Sequence, residues 1–203
     1  VDRVEWLKQR QLGIGSSDCP PIMGESPYST MVDIYDSKVA LEVVEKSSWV
    51  MDKGNTLEPI ARARYELLNN ADFPPAMFVH VQKPHYRCNV DGYSKELDKV
   101  IEIKWCGAKF TDKVPSKYKA QVQYQYMVTN CKELEMVQID NMNRINVIPV
   151  ERDDEYIARL IDKVDWFWDC VINKRRDEVL NEYEKLNQAN NGKRRKKAPS
   201  KHR

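Results

Sequence analysis

Asn89-Val90-Asp91-Gly92, with ten residues between its aspartate and the glutamate of Val100-Ile101-Glu102-Ile103-Lys104, is the stretch on which the fold turns. Val100–Lys104 is β-rich, and alternate residues of a strand share a face. Glu102 and Lys104 therefore project together while Ile101 and Ile103 turn to the core. Asp91 stands at the end of a preceding strand, with Asp91-Gly92 as a turn signal, and residues 94–99 can return the chain as a hairpin. Two carboxylates and an ammonium then converge. Hard oxygen ligands of this kind suit Mg²⁺ or Mn²⁺, and a nearby lysine can orient water or offset phosphoryl charge. The same pattern also arises on a strand whose polar face is simply solvated, and these residues alone leave both readings open.

Working outward, residues 76–82 and 86–90 read as strands, as do 136–139 and 145–150. Helical spacing marks 3–12, 31–41, 56–69 and 118–129, and a long helical stretch covers 154–186. The order is helices, three strands, helix, two strands, helix. It predicts an α/β domain with a central mixed β-sheet flanked by helices.

The chain has 203 residues, enough for a single domain that buries roughly 70% of its unfolded surface. No apolar run approaches the ~20 residues that span a bilayer, and the first residues carry no signal-peptide pattern. The net charge of +2 conceals an asymmetry, because seven Lys/Arg and no acid lie within Lys193–Arg203, and residues 1–192 carry a net −5. Residues 1–190 are expected to form the domain and 191–203 a basic, disordered tail, with an auxiliary phosphate-binding arm as the alternative. Any nucleic acid would meet the body through a local basic patch or through metals that neutralise carboxylates. The five cysteines, at 19, 88, 106, 131 and 170, include no C-x-x-C pair. That disfavours a zinc or iron–sulfur site and fits free thiols in a reducing cytoplasm.

Four other features have two readings each. Glu58 in Gly54-Asn55-Thr56-Leu57-Glu58-Pro59 is an acid at a helix start, where the dipole alone would favour it. Tyr118, Gln121 and Gln125 share a helical face by i, i+3 and i, i+4 spacing, as a solvated face would. Arg10 suits a surface ion pair as well as an anion site. The Gly13-Ile14-Gly15-Ser16-Ser17-Asp18 loop offers N-caps to a short helix.

Their order adds what no single one supplies. Trp6 to Arg10, Gly13 to Asp18, Ser26-Pro27-Tyr28, Gly54-Asn55-x-x-Glu58-Pro59, Asp91-Gly92, Ile101-Glu102-Ile103-Lys104 and Tyr118-x-x-Gln121-Val122-Gln123-Tyr124 follow one another. This series resembles the YqaJ-like viral recombinase family, from about Trp6 to Asp153. The resemblance implies a restriction-endonuclease-like core of the PD-(D/E)xK type and Mg²⁺-dependent 5′→3′ digestion of one strand of duplex DNA from its ends. The product would be 3′ single-stranded tails for recombination. It implies that Asp91, Glu102, the Ile103 backbone carbonyl and Glu58 serve two Mg²⁺ ions (or Mn²⁺), that Lys104 is the catalytic lysine, and that Gln121 supports the site. Arg10 and Ser17 would hold a 5′-phosphate. Asn89-Val90 departs from the Ser-Pro that often precedes the Asp-Gly, so position 89 is left out of the site. The family further implies a homotrimeric ring, a single-strand annealing partner, and a phage or prophage gene product in bacterial cytoplasm, away from any membrane. The alternatives are a structure-specific or restriction-type endonuclease on the same core, and a catalytically dead DNA-binding subunit.

Overall fold

The structure, a computed structural model, describes residues 11–40 and 49–197. The helix expected over 3–12 therefore lies almost wholly outside the described residues. A 3₁₀ turn, Ser16–Asp18, runs into α1 (Cys19–Ile22), followed by α2 (Met31–Val39) and α3 (Trp49–Asn69). Then come β1 (Ala76–Val79), β2 (Arg87–Val90), β3 (Gly92–Ser94) and β4 (Lys99–Gly107). After α4 (Ser116–Thr129) follow β5 (Glu133–Asp140), β6 (Ile145–Pro149), α5 (Asp154–Ile172) and α6 (Arg176–Lys197).

The main sheet has the order β3-β4-β5-β6, with β4 and β5 parallel and the outer pairs antiparallel. A parallel pair needs a crossover, and α4 supplies it. β1 and β2 form a separate antiparallel ribbon, so the sheet expected as one is two. Alternation along β4 divides the core. Val100 joins Leu134, Met136 and Ile148 against α4 and α5, while Ile101 and Ile103 join Val137 and Ile139 against Leu57, Ala61 and Tyr65 of α3. The sheet is thus a middle layer between α3 and the α4–α5 side. Burying Ile101 alone, at 0% exposure, is worth about 1.5–3 kcal/mol.

Four boundaries differ from the sequence reading. Gly92 opens β3 rather than completing a turn, and a Cβ there would lie 2.7 Å from the Phe73 carbonyl oxygen and 2.8 Å from Ile101 Cγ1. The helix expected from position 56 starts at Trp49. Thr56 Oγ1 donates back to the Asp52 carbonyl at 2.9 Å instead of capping. The stretch 154–186 is two helices, broken after Ile172 where Lys174 takes a left-handed φ of 54°. At the other end α6 continues through the first basic residues to Lys197.

Candidate active site

One cavity of about 400 Å³ collects the predicted residues. Asp91, Glu102, Ile103, Lys104, Glu58, Gln121 and Ser17 all line it, arriving from β4, α3, α4 and the loops before α1 and β3. Arg10 lies outside the described residues.

Glu102 stands on the α4 face of β4, 2% exposed. A carboxylate buried so deeply must be paired or hydrogen-bonded at each oxygen. Lys104 Nζ meets Glu102 Oε1 at 2.5 Å, and Gln121 Nε2 donates to the same oxygen at 2.5 Å. Gln125 Nε2 donates to Oε2 at 2.5 Å. The polar faces of β4 and α4 are therefore turned on each other, not on solvent. Gln125 is 0% exposed, and its Oε1 is a buried acceptor with no hydrogen bond.

Asp91 sits between β2 and β3. β3 begins at Gly92, opposite Ile101, so Ile103 lies beyond the paired stretch and its amide donates to Asp91 Oδ2 at 2.7 Å. From α3, Arg62 Nε donates to the Asp91 backbone carbonyl at 2.7 Å while its Nη2 pairs with Glu58, one turn earlier. Arg62 is thus a tie between two acids of the cavity. Burial, then the Glu102 charge and that of Glu58, push the Asp91 carboxyl well above the usual carboxylate range, against the opposing pull of Lys104 and the Ile103 amide. Burial alone would lower Lys104, but Glu102 and Asp91 outweigh it and hold the ammonium above an ordinary lysine.

The Gly13–Ser17 loop forms another wall. Ile14 pairs in parallel with Tyr86, and its amide donates to the His85 carbonyl at 2.7 Å. A Cβ at Gly13 would come within 2.4 Å of the His85 carbonyl oxygen, so only glycine permits this approach. Buried Tyr124 donates its hydroxyl to the Ile14 carbonyl at 3.0 Å. Asp18 Oδ2 accepts from the Gly15 amide at 2.9 Å and pairs with Lys38 Nζ at 2.6 Å, both side chains 3% exposed.

Among the described residues no three His, Cys, Asp or Glu side chains form a ready metal cage. The acids that line the cavity, Asp91, Glu102 and Glu58, nevertheless offer hard carboxylate oxygens. Mg²⁺ is commonly held by one or two carboxylates with water and substrate phosphate completing the shell. Asp91, pressed toward protonation by burial and then by Glu102, is also the neighbour a cation would relieve. The residues fit a divalent ion.

A parallel strand pair crossed over by α4, with an acid and a lysine two residues apart on its central strand, defines a restriction-endonuclease-like α/β core. The chain belongs to the family of the YqaJ-like viral recombinase domain, whose model matches residues 5–132. It is 26% identical over 182 residues to the uncharacterized protein YqaJ of Bacillus subtilis (strain 168), covering 85% of this chain and 57% of that protein. The chain thus spans little more than half of that relative. Among solved structures it is similar to an alkaline exonuclease, LHK-Exo, from Laribacter hongkongensis, with a TM-score of 0.69 at 22% identity over 90% of this chain and 98% of the other. A phage-related exonuclease from Haemophilus somnus 129PT gives a TM-score of 0.57 at 14% identity, covering 84% of this chain and 96% of the other.

Gln125 and Arg62 join the site although nothing in the sequence assigns them to it. The i, i+4 spacing from Gln121 and from Glu58 was a signal in each case, but only the tertiary fold shows what those amides and that guanidinium reach.

Proposed function

We propose that the protein is a DNA exonuclease that hydrolyses phosphodiester bonds of one strand of a duplex from its end, in the 5′→3′ direction with Mg²⁺. The observation that carries this reading is the convergence of Asp91, Glu102 and Lys104 in one cavity of an exonuclease-like fold. LHK-Exo has also been solved in complex with dAMP, a product-like nucleotide for such a reaction.

Asp91, Glu102 and the Ile103 carbonyl would hold the metal, and Mn²⁺ could substitute for Mg²⁺. Glu58 pairs with Arg62 through Oε1, and its other oxygen could join a second ion. A bound divalent ion supplies charge to the attacking water and to the leaving oxygen. The chain's own residues do the rest. Lys104, kept protonated by two acids, stands where it can meet a phosphoryl oxygen as charge develops. Gln121 and Gln125 fix the Glu102 carboxylate from the opposite side, so its orientation is set before substrate arrives. Ser17 and the amides of its loop, with Arg10, would receive the 5′-phosphate. The homotrimeric ring, the annealing-protein partner and a place in bacterial cytoplasm rest on family membership alone; no described helix is long and apolar enough to cross a membrane.

The test is a linear duplex with distinct labels at its two 5′ ends, incubated with and without Mg²⁺, beside a closed circular duplex. Stepwise loss from 5′ ends, needing Mg²⁺ and sparing the circle, is the expected result. Cutting of the circle would make the protein an endonuclease, and no cutting of either would remove the nuclease reading.

A further inference from the structure

Lys117 and Tyr28 lie beside the cavity and belong to none of the roles above. The Lys104 Nζ stands 5.3 Å from the centroid of the Tyr118 ring, and Lys117 Nζ stands 4.8 Å from the same centroid. Tyr118 lines the cavity. One ring therefore links the site lysine to a second ammonium farther out. Lys117 then donates to the Tyr28 hydroxyl at 2.6 Å while lying 5.0 Å from that ring's centroid. Together these distances put the ammonium at the hydroxyl edge and leave the faces of Tyr28 uncovered by it. Tyr28 is 74% exposed.

Two features separate this pair from ordinary surface residues. The first is charge. Lys104 is paired with Glu102 and Lys119 with Asp153, but no carboxylate among the described residues pairs with Lys117. Nor does the first turn of α4 hold an acid. Burial would lower the Lys117 pKa, but the Tyr28 and Tyr118 hydroxyls outweigh it, and the group stays above an ordinary lysine. The second is rigidity. Ser26 Oγ accepts from the amides of Tyr28 and Ser29 at 3.1 and 3.3 Å, and Thr30 and Asp33 cap α2 reciprocally. The loop that presents Tyr28 is thus ordered from both ends, and a preorganised aromatic loses little entropy on binding.

We propose that Lys117 and Tyr28 form a second contact for the DNA strand outside the cleavage cavity, with a backbone phosphate on the Lys117 ammonium and a base or sugar packed on the exposed Tyr28 ring. It rests on the DNA reading given above. A cationic track interleaved with aromatic rings is the chemistry that holds a nucleic-acid strand without reading its sequence.

The test is fluorescence anisotropy of labelled single-stranded and blunt duplex oligonucleotides, titrated in Ca²⁺ over a salt series. Lys117→Gln should weaken binding and flatten the plot of log affinity against log salt by ~0.7 on single strands or ~0.9 on duplex, the loss of one phosphate contact. Lys117→Arg should keep the wild-type slope. Tyr28→Ala should weaken binding about ten-fold with the slope unchanged, and Tyr28→Phe should retain most of the affinity because the ring remains. A larger effect on the single strand assigns the contact to unpaired bases, and a larger effect on the duplex assigns it to the double helix. Wild-type affinity and slope in both Lys117→Gln and Tyr28→Ala would overturn the inference while leaving the nuclease reading intact. A wild-type protein that binds neither oligonucleotide would overturn both.

Discussion

Gln125 Nε2 donates to Glu102 Oε2 at 2.5 Å, one helical turn beyond Gln121, which holds the other oxygen. The two amides and Lys104 pair both oxygens of a carboxylate that the sheet has taken out of water, and Oε2, with a single donor, keeps room for a metal. Gln125 carries a cost of its own, because its Oε1 is buried without a partner.

That balance predicts the outcome of Gln125→Leu. A charge-assisted hydrogen bond worth about 1.5–3 kcal/mol is lost and the buried Glu102 Oε2 loses its donor, while removal of the orphaned Oε1 returns about 1–3 kcal/mol. The urea midpoint should therefore fall by no more than about 3 kcal/mol equivalent. Nuclease turnover should still fall about ten-fold or more, since Glu102 keeps only one side of its support. A large stability loss with unchanged turnover would mean that Gln125 is a packing residue.

Asp91→Ala and Glu102→Ala should each abolish cleavage and weaken divalent-ion binding, measured by calorimetry, because each removes an anionic ligand and the third acid of the cavity, Glu58, is tied to Arg62. Lys104→Ala should differ. It should lose most turnover while DNA affinity in Ca²⁺ changes little. Parallel loss of rate and affinity would make Lys104 a binding residue.

How much of this was legible beforehand follows from what each residue depends on. The shared face of Glu102 and Lys104 is a period-two property of one strand, so it needs no tertiary knowledge. Burial of the Gln121–Gln125 face does. Beyond its first turn α4 is enclosed, with Gln121, Val122, Gln123 and Tyr124 all buried in succession, and a helical stretch surrounded by protein has no apolar stripe to read. The early start of α3 was hidden by Thr56 and Pro59, which look like a cap and a first turn but lie inside the helix. The break at Lys174 uses a left-handed lysine where glycine would have announced it. Arg62 could be paired with Glu58 from spacing, whereas its bond to the Asp91 carbonyl joins residues 29 apart.

The Asp18–Lys38 ion pair stands behind the cavity loop and makes a stability prediction. Lys38→Met leaves a carboxylate at 2% exposure without its ammonium. Breaking one side of a buried pair costs about 3–5 kcal/mol. The double variant Asp18→Asn, Lys38→Met removes the carboxylate charge as well and should recover much of the loss in thermal melts. Equal destabilisation in the single and double variants would show that the charge is not the cause.

The 5′ end gives the sharpest separation from a generic nuclease. Ser17 lines the cavity on a loop fixed by the Ile14–Tyr86 bridge, the Tyr124 hydroxyl and Asp18. Such a wall could hold a phosphate with a hydroxyl and backbone amides, and Arg10 would add a guanidinium fork. Wild type should then degrade 5′-phosphorylated duplex faster than 5′-hydroxyl duplex. Arg10→Ala should lose about 1.5–3 kcal/mol of charge-assisted contact, roughly one to two decades in rate on phosphorylated ends, and Ser17→Ala a smaller part. Asp91, Glu102 and Lys104 are all retained in both variants, so cleavage of 5′-hydroxyl ends should continue near the wild-type rate. If Arg10→Ala slowed both substrates by the same factor, the arginine would serve folding or general DNA affinity, and the phosphate would be read elsewhere.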